Sequence, residues 1–439
     1  LDCKKINVDE KVRIKSLSIG VIVPDKFMEL AEKDEPCYVF YPHSVMQEYG
    51  QYLDEMDMTK MYDELVTNPR VKKRKINARH LMVKIAQTQK ESGYPYIFFK
   101  DNANRQHALN GVGSIKFSNL CTEIMQVSEV SDITSYGQED TIRYGISCNL
   151  GSLNIATVMD NKRIEQAVKT AMRALTMVSD VTDIAMVPSI QKANRELHSV
   201  GLGAMNLHGF LAKNFIMYES EEALDFANVF FMMVNYYSLQ ASMEIARERK
   251  TTFAGFEKTA YADGSYFDKY VSRDYFPTTI KVSELFSGIN IPTKEDWKTL
   301  KEQVMEHGLY HAYRLAIAPN QSTSYVMNAT ASVMPIVDTI EVREYGDSTT
   351  YYPMPYLTNE NYFYYKSAYD MDQFKVLKLV SVIQRHVDQG ISTILHTNSK
   401  DTTRDLARYY IYAHKMGLKS LYYTRTRKST INECVSCSA

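Results

Sequence analysis

The chain has 439 residues, 45% of them hydrophobic, with 51 Lys and Arg set against 52 Asp and Glu. That is enough apolar material for a substantial core, equivalent to two or three domains. A formal net charge of -1 gives no long-range attraction to nucleic acid or to an anionic membrane, and no apolar run approaches the ~18 residues that span a bilayer.

In chain order, the sequence opens on Leu1 in mid-pattern with no visible signal peptide, which predicts a processed, split or truncated polypeptide. Ser16–Val23 reads as a buried strand. Lys72, Lys73, Arg74 and Lys75 read as a solvated helix start rather than a nucleic-acid patch. Tyr96–Phe99 and Ile146–Ile155 are predicted strands. Ile164, Val168, Ala171, Leu175 and Val178 then recur at helical spacing. Gly201-Leu202-Gly203 is no dinucleotide fingerprint, because Asn206 stands where the third glycine is needed. Leu224 to Ala246 is predicted as a long, buried helix. Thr251–Phe276 reads as a connecting region with short helices. His307 and His311 share a predicted helical face but lack the glutamate of a zinc-protease helix, and that helical stretch is expected to end near Arg314. Phe374, Leu377, Val380 and Ile383 mark another helix, with Gly390 near its C-terminal cap. Ile391–Leu395 and Leu418–Tyr423 complete the predicted strands. Strands alternating with helices argue for an α/β fold with a mainly parallel sheet.

Six cysteines in this length do not form a disulfide scaffold, so a cytoplasmic location is the default and the cysteines become candidates for chemistry. Ser118-Asn119-Leu120-Cys121-Thr122-Glu123 carries an amide, a thiol and a carboxylate at alternate positions. If extended, period-two geometry sets all three on one face, within reach of one substrate. The plainer reading is a strand edge with an inert cysteine. Cys148, taken by itself, reads as a core cysteine. Tyr422-Tyr423 is one of several adjacent tyrosine pairs in a chain of 32 tyrosines. Ala318–Pro335 is short of charge and rich in hydroxyls and amides. Such a loop can cradle a phosphate or be an ordinary polar turn. The segment after Tyr423 has almost no apolar residue and is predicted to be mobile. It ends with Cys434 and Cys437, a C-x-x-C that fits a redox shuttle or an incidental surface pair. Zinc would need two further ligands, and neither a second C-x-x-C nor a nearby His pair offers them.

Taken together, "FSNLCTEI", "SCNLGSLNIA", "VGLGAMNLHGFLA", "NATASVMPIVD", "YYPMP", "DQGIST", "LKSLYYTRT" and the terminal C-x-x-C resemble the large (alpha) subunit of class Ib ribonucleotide reductase, in order and spacing, from about Leu1 to Ala439. The resemblance implies part of a ten-stranded α/β barrel around a central finger loop, over residues 1–423, followed by a redox-active tail at 424–439. It implies that Cys121 becomes a thiyl radical and takes the ribose 3′-hydrogen, with Glu123 the base for the 3′-hydroxyl and Asn119 holding the substrate hydroxyls. Ser118, Leu120 and Thr122 flank them at the substrate. Cys148 corresponds to one half of the reducing pair. Tyr422 and Tyr423 correspond to the radical relay, and Cys434 and Cys437 to the dithiol that re-reduces the site. Pro319, Asn320, Gln321, Ser322, Thr323 and Ser324 correspond to the diphosphate loop. Lys4–Lys15 resembles the specificity loop, with Lys5 and Arg13 as its candidate contacts. Burial inside a barrel suits a thiyl radical, which water and oxidants would otherwise quench.

The resemblance further implies no metal or cofactor bound by this chain, a radical supplied by a metal-containing small (beta) subunit, and deoxynucleoside triphosphate or ATP effectors. The implied substrate is a nucleoside diphosphate, and the implied reductant a glutaredoxin-like or thioredoxin-like protein. The complete subunit is expected to be a homodimer, with neither nucleic acid nor membrane as a partner. Two departures stand out. Asn320-Gln321 occupies a place where the family usually has Thr followed by Gly or Gln. The family also carries a long upstream portion, with the second redox cysteine and the first barrel strands; Cys3 and Cys37 do not match that cysteine. A complementary N-terminal piece is therefore expected. The rival expectations are a non-catalytic fragment that only binds partners and a stand-alone C-x-x-C redox carrier.

Overall fold

The computed structural model describes residues 1–4, 11, 14, 17–345 and 347–427. Among these, the strands are β1 (Gly20–Val23), β2 (Pro36–Phe40), β3 (Lys73–Asn77), β4 (Tyr96–Phe99), β5 (Leu150–Asn154), β6 (Gly201–Met205), β7 (Ile340–Tyr345), β8 (Ser348–Pro353), β9 (Leu395–Asn398), β10 (Ser420–Leu421) and β11 (Thr424–Arg427). They form one three-stranded sheet, β1-β4-β10, and four pairs: β9 with β11, β5 with β6, β2 with β3, and β7 with β8. The β1–β4, β5–β6 and β9–β11 pairings are parallel, and the other three are antiparallel. Parallel bridges from Leu202 to Leu315 and from Ile317 to Ile391 continue the β5–β6 ribbon sideways. Helices fill the intervals, so the class is α/β, and no single sheet closes into a barrel among the described residues.

Close backbone approach explains the second of the two glycines that resembled a broken nucleotide motif. A Cβ on Gly203 would lie 2.5 Å from the Ala316 carbonyl oxygen, so the segment beside β6 can pack only against a residue with no side chain.

The helix Glu221–Arg249 is the centre of the core. Ser220 caps its start by accepting a hydrogen bond from the Ala223 amide at 3.2 Å, with Glu221 and Glu222 in the first turn and Arg247 and Arg249 in the last. Those charges complement the helix dipole. Its middle is mostly apolar and buried nearly all round, and it packs against the helices Ile164–Val181, Lys294–His307 and Gln373–Gln384. Asn235 and Ser238 of this helix bind the fully buried Arg314 at 3.1 and 2.7 Å. Arg314 also pairs with Asp388 at 3.4 Å, and Asp388 accepts the amides of Arg314 and Leu315 at 3.0 and 2.7 Å. Removing one partner of such a buried pair costs about 3–5 kcal/mol. This pair anchors the start of the segment 388–392, which leads to the candidate site.

Several boundaries differ from the sequence expectation. The first strand is confined to Gly20–Val23 and the third predicted strand to Leu150–Asn154. Ile391 contributes one bridge, and β9 begins only at Leu395. The last predicted strand is confined to β10, and Thr424–Arg427, expected to open a mobile segment, instead form β11, held by its parallel pairing with β9. Lys73 belongs to a strand, not a helix start, because β3 pairs along β2 and the Lys73 ammonium donates to the carbonyls of Leu65 and Asn68. The helix Lys294–His307 stops before Arg314. His311 therefore lies off it, buried between the hydroxyls of Thr176 and Ser242 at 2.9 Å each. The helix Gln373–Gln384 ends at Arg385, so Gly390 is not its cap.

Candidate active site

Ser118–Glu123 is a turn, not an extended stretch. The Thr122 amide donates to the Asn119 carbonyl at 3.2 Å, and Thr122 sits at φ 69°, a left-handed backbone conformation uncommon outside glycine. The Asn119 side chain holds the turn from inside by accepting the Ile124 amide at 3.1 Å. Asn119 and Glu123 meet through this fold of the backbone, in place of strand alternation: the Asn119 Nδ2 donates to Glu123 Oε1 at 2.9 Å. The same Nδ2 lies 4.0 Å from the Cys148 sulfur. Cys148 is exposed in this chain rather than a core residue. Leu120 also points outward, 58% exposed, and the Ser118 hydroxyl turns back to the Asn119 carbonyl at 3.1 Å.

Two segments distant in sequence brace the turn. The Gly390 amide donates to the Glu123 carbonyl at 2.8 Å. A Cβ at Gly390 would lie 2.6 Å from the Thr122 carbonyl oxygen, so this contact requires glycine. Ser392 lies with its hydroxyl 2.5 Å from the Cys121 carbonyl oxygen and 3.1 Å from Glu123 Oε2. From β10, the Ser420 hydroxyl donates to the Thr122 carbonyl at 3.0 Å.

These contacts set the protonation states. Burial raises the Glu123 carboxyl above its ordinary range, while hydrogen bonds from Asn119 and Ser392 pull it back. Burial also pushes the Cys121 thiol up. The Tyr422 hydrogen bond opposes that rise and the Glu123 charge adds to it. Cys121 is thus kept as S–H, the form from which a hydrogen atom can be removed. Cys148 is raised by burial first and then by Glu123.

The tyrosine pair reaches this sulfur. Tyr422 donates from its phenol to Cys121 Sγ at 3.5 Å, and its ring packs on Tyr423 with centroids 4.5 Å apart. The backbone fixes both rings: the Tyr422 amide donates to the Thr393 carbonyl, and the Leu395 amide to that of Tyr423.

Pro319 and Asn320 lead into the short helix Gln321–Val326, which carries Gln321, Ser322, Thr323 and Ser324. A cleft of about 770 Å³, measured with its open mouth, separates Pro319, Gln321 and Ser324 from Ser392, His396 and Tyr423. Ser392 therefore faces both this cleft and the Glu123 carboxylate. Asn320 Oδ1 accepts the Ser332 amide at 2.8 Å, but its Nδ2, the Ser332 hydroxyl and His396 Nδ1 are buried without a partner. Lys5, Arg13, Cys434 and Cys437 lie outside the described residues. Among the described residues no group of three or more His, Cys, Asp or Glu is placed to hold a metal, and no helix is long and apolar enough to cross a membrane.

Gly390, Ser392, Ser420 and His396 were not picked out as site residues in the sequence. A serine two residues after a glycine carries no distinctive signal, and only the fold brings it to Cys121 and Glu123.

The turn with its thiol, amide and carboxylate, reached by a tyrosine, lies in a chain whose residues 1–424 match the ribonucleotide reductase, barrel domain, family. The chain belongs to that family. It is 58% identical over its whole length to the ribonucleoside-diphosphate reductase subunit alpha of Bacillus subtilis (strain 168), of which it covers 62%. It is 44% identical to the subunit of that name from Mycoplasma pneumoniae, over 99% of this chain and 61% of the relative. With that from Treponema pallidum it shares 31% identity, over 100% of this chain and 52% of the relative. The chain thus spans about three-fifths of the first two relatives' length and about half of the third's.

Proposed function

We propose that this chain is the later part of the catalytic subunit of a class Ib ribonucleoside-diphosphate reductase, converting ribonucleoside diphosphates to 2′-deoxyribonucleoside diphosphates. The observation that carries the reading is the Tyr422 phenol 3.5 Å from the Cys121 sulfur, with Asn119 and Glu123 hydrogen-bonded in the same turn. A Tyr422 phenoxyl takes the hydrogen atom of the Cys121 S–H, leaving a tyrosine and a thiyl. The thiyl takes the ribose 3′-hydrogen. Glu123 accepts the 3′-hydroxyl proton while the 2′-hydroxyl takes a proton from one of the two reducing thiols and leaves as water, and Glu123 later returns its proton to the 3′-oxygen. Two electrons and two protons come from Cys148 and a second thiol supplied by the upstream portion, which together become a disulfide. The 3′-hydrogen is then returned from Cys121, and the tail dithiol of Cys434 and Cys437 reduces the disulfide by exchange.

Pro319–Ser324 and Ser332 hold the diphosphate in the cleft, and the effector-reading segment is Lys4–Lys15. The partners are a radical-generating small subunit, the upstream part of this subunit, a second copy of the complete subunit and a dithiol protein. Mixing this chain with the upstream portion, a small subunit and a dithiol tests the reading. Nucleoside diphosphate reduction is expected, and Cys121→Ser is expected to abolish it. Turnover that survives Cys121→Ser sinks the radical mechanism and leaves the C-x-x-C carrier. No turnover from the complete mixture leaves a chain that only binds partners.

A further inference from the structure

A second aromatic column meets the relay at Tyr422. The antiparallel register pairs Ser420 with Phe98 and Leu421 with Ile97, which sets Tyr422 across from Tyr96 at the next step. The two rings pack with centroids 4.7 Å apart at 52°. Behind Tyr96 stands Tyr94, ring centroids 5.0 Å away, its phenol 3.2 Å from the Ser18 hydroxyl. Tyr96 is 7% exposed, and its backbone is fixed on both sides, by β1 at Gly20 and by the run into β10. After burial, Cys121 and then Tyr96, whose ring packs on it, push the Tyr422 phenol up.

We infer that Tyr96 is a positioning residue for the radical relay, donating its O–H to the Tyr422 oxygen whenever Tyr422 is a phenoxyl. The inference rests on the radical reading above. A reduced Tyr422 carries its own proton, aimed at Cys121. Once that hydrogen is gone, its oxygen can only accept, and besides the Cys121 S–H the Tyr96 ring packed on it brings a further O–H donor. The bond holds the ring in line with the sulfur and stabilises the radical against straying. Tyr96 does not itself carry the radical. Oxidising its phenol would release a proton, and the hydroxyls of Tyr94 and Ser18 behind it are poor bases. Forward transfer instead returns a hydrogen atom from Cys121 to Tyr422, with no free proton released.

The test uses the complete holoenzyme with an easily oxidised analogue, Tyr422→3-aminotyrosine, which traps the radical at 422 for electron–nuclear double resonance in H2O and D2O. With Tyr96 present, an exchangeable-proton coupling to the 422 oxygen is expected. In Tyr96→Phe the coupling from the Tyr96 hydroxyl should vanish, leaving those of the amino group and of the Cys121 S–H. In the enzyme with natural Tyr422, the same change should lower kcat about tenfold, near the worth of one hydrogen bond, with KM and the thermal midpoint unchanged. Tyr94→Phe, one ring further out, should keep the coupling. An identical coupling in Tyr96→Phe overturns the inference while leaving the radical reading intact. Failure to form a radical at 422 in either background overturns both.

Discussion

The turn at Asn119–Glu123 and the cleft beside Pro319–Ser332 are built on opposite plans. In the turn, polar groups are spent on the protein itself: Asn119 on Glu123 and Ile124, Ser392 and Ser420 on backbone carbonyls, and Gly390 on the Glu123 carbonyl. In the cleft, the Ser332 hydroxyl and His396 Nδ1 are buried with no protein partner, as is Asn320 Nδ2 beside it. Buried unpaired polar atoms cost stability, about 1–3 kcal/mol each. The contrast fits a division of labour. On the proposed reading, the reacting groups are pre-set by protein contacts and the binding groups await the diphosphate. The turn is not perfectly satisfied, since the Thr122 hydroxyl is also buried without a partner.

The sharpest way to break the contrast is to disturb the turn through its backbone brace. Gly390→Ala places a methyl 2.6 Å from the Thr122 carbonyl oxygen and 2.7 Å from the Met125 Cε. The methionine end can move; the carbonyl cannot move without shifting Cys121 and Glu123. A shift of about 1 Å costs on the order of 100-fold in rate. Steady-state kinetics of the reconstituted enzyme should therefore show kcat down about 100-fold with KM nearly unchanged. A variant that folds and turns over normally would show the turn to be less rigidly set than its contacts indicate.

Much of this design was legible in the sequence, for identifiable reasons. The helix Glu221–Arg249 announced itself because burial nearly all round demands mostly apolar residues. Tyr96–Phe99 was readable as a strand because it is buried on both faces. Asn119, Cys121 and Glu123 were found by residue type and by resemblance, yet the physical reason offered, alternation along a strand, was wrong. A left-handed residue at Thr122 brings them together, and nothing in threonine signals φ 69°. Ser392 and Tyr96 stayed hidden because their roles arise from pairings about 270 and 330 residues apart, Ser392 with Glu123 and Tyr96 with Tyr422. β11 was equally invisible, since Thr424–Arg427 has no apolar residue and is a strand only because β9 offers it a parallel partner.

A middle-sized effect separates alignment from acidity within the turn. Ser392→Ala removes one of three hydrogen bonds that hold the Glu123 carboxyl down against burial, the others coming from Asn119 and from the Glu123 backbone. The folded-state value, already raised, then rises further. Because Glu123 must be ionised to accept a proton, the acidic limb of the kcat/KM profile should move to higher pH. Loss of activity should be several-fold on that limb and small above it. The sign for stability follows from the same shift. The neutral carboxyl is favoured in the folded protein, so its contribution is present below the unfolded value and is lost as pH rises through the folded one. Ser392→Ala should make that decline extend to higher pH. An acidic limb that stays in place would assign Ser392 to the Cys121 carbonyl alone.

The smallest effect tests the other half of the comparison. Ser332→Ala deletes a buried hydroxyl that bonds to nothing in the protein, while its amide still donates to Asn320 Oδ1. Loss of an unpaired polar atom from a buried position is neutral or mildly stabilising, so the thermal midpoint should hold or rise slightly. If the hydroxyl is reserved for a phosphate oxygen, KM for the nucleoside diphosphate should rise about three- to tenfold, near the worth of one hydrogen bond, with kcat little changed. A residue that merely packed would give the reverse, a lower midpoint with an unchanged KM. The pairing of stability held with binding lost is therefore the signature of a group kept unsatisfied for its ligand, and its absence would make the cleft an ordinary polar fold.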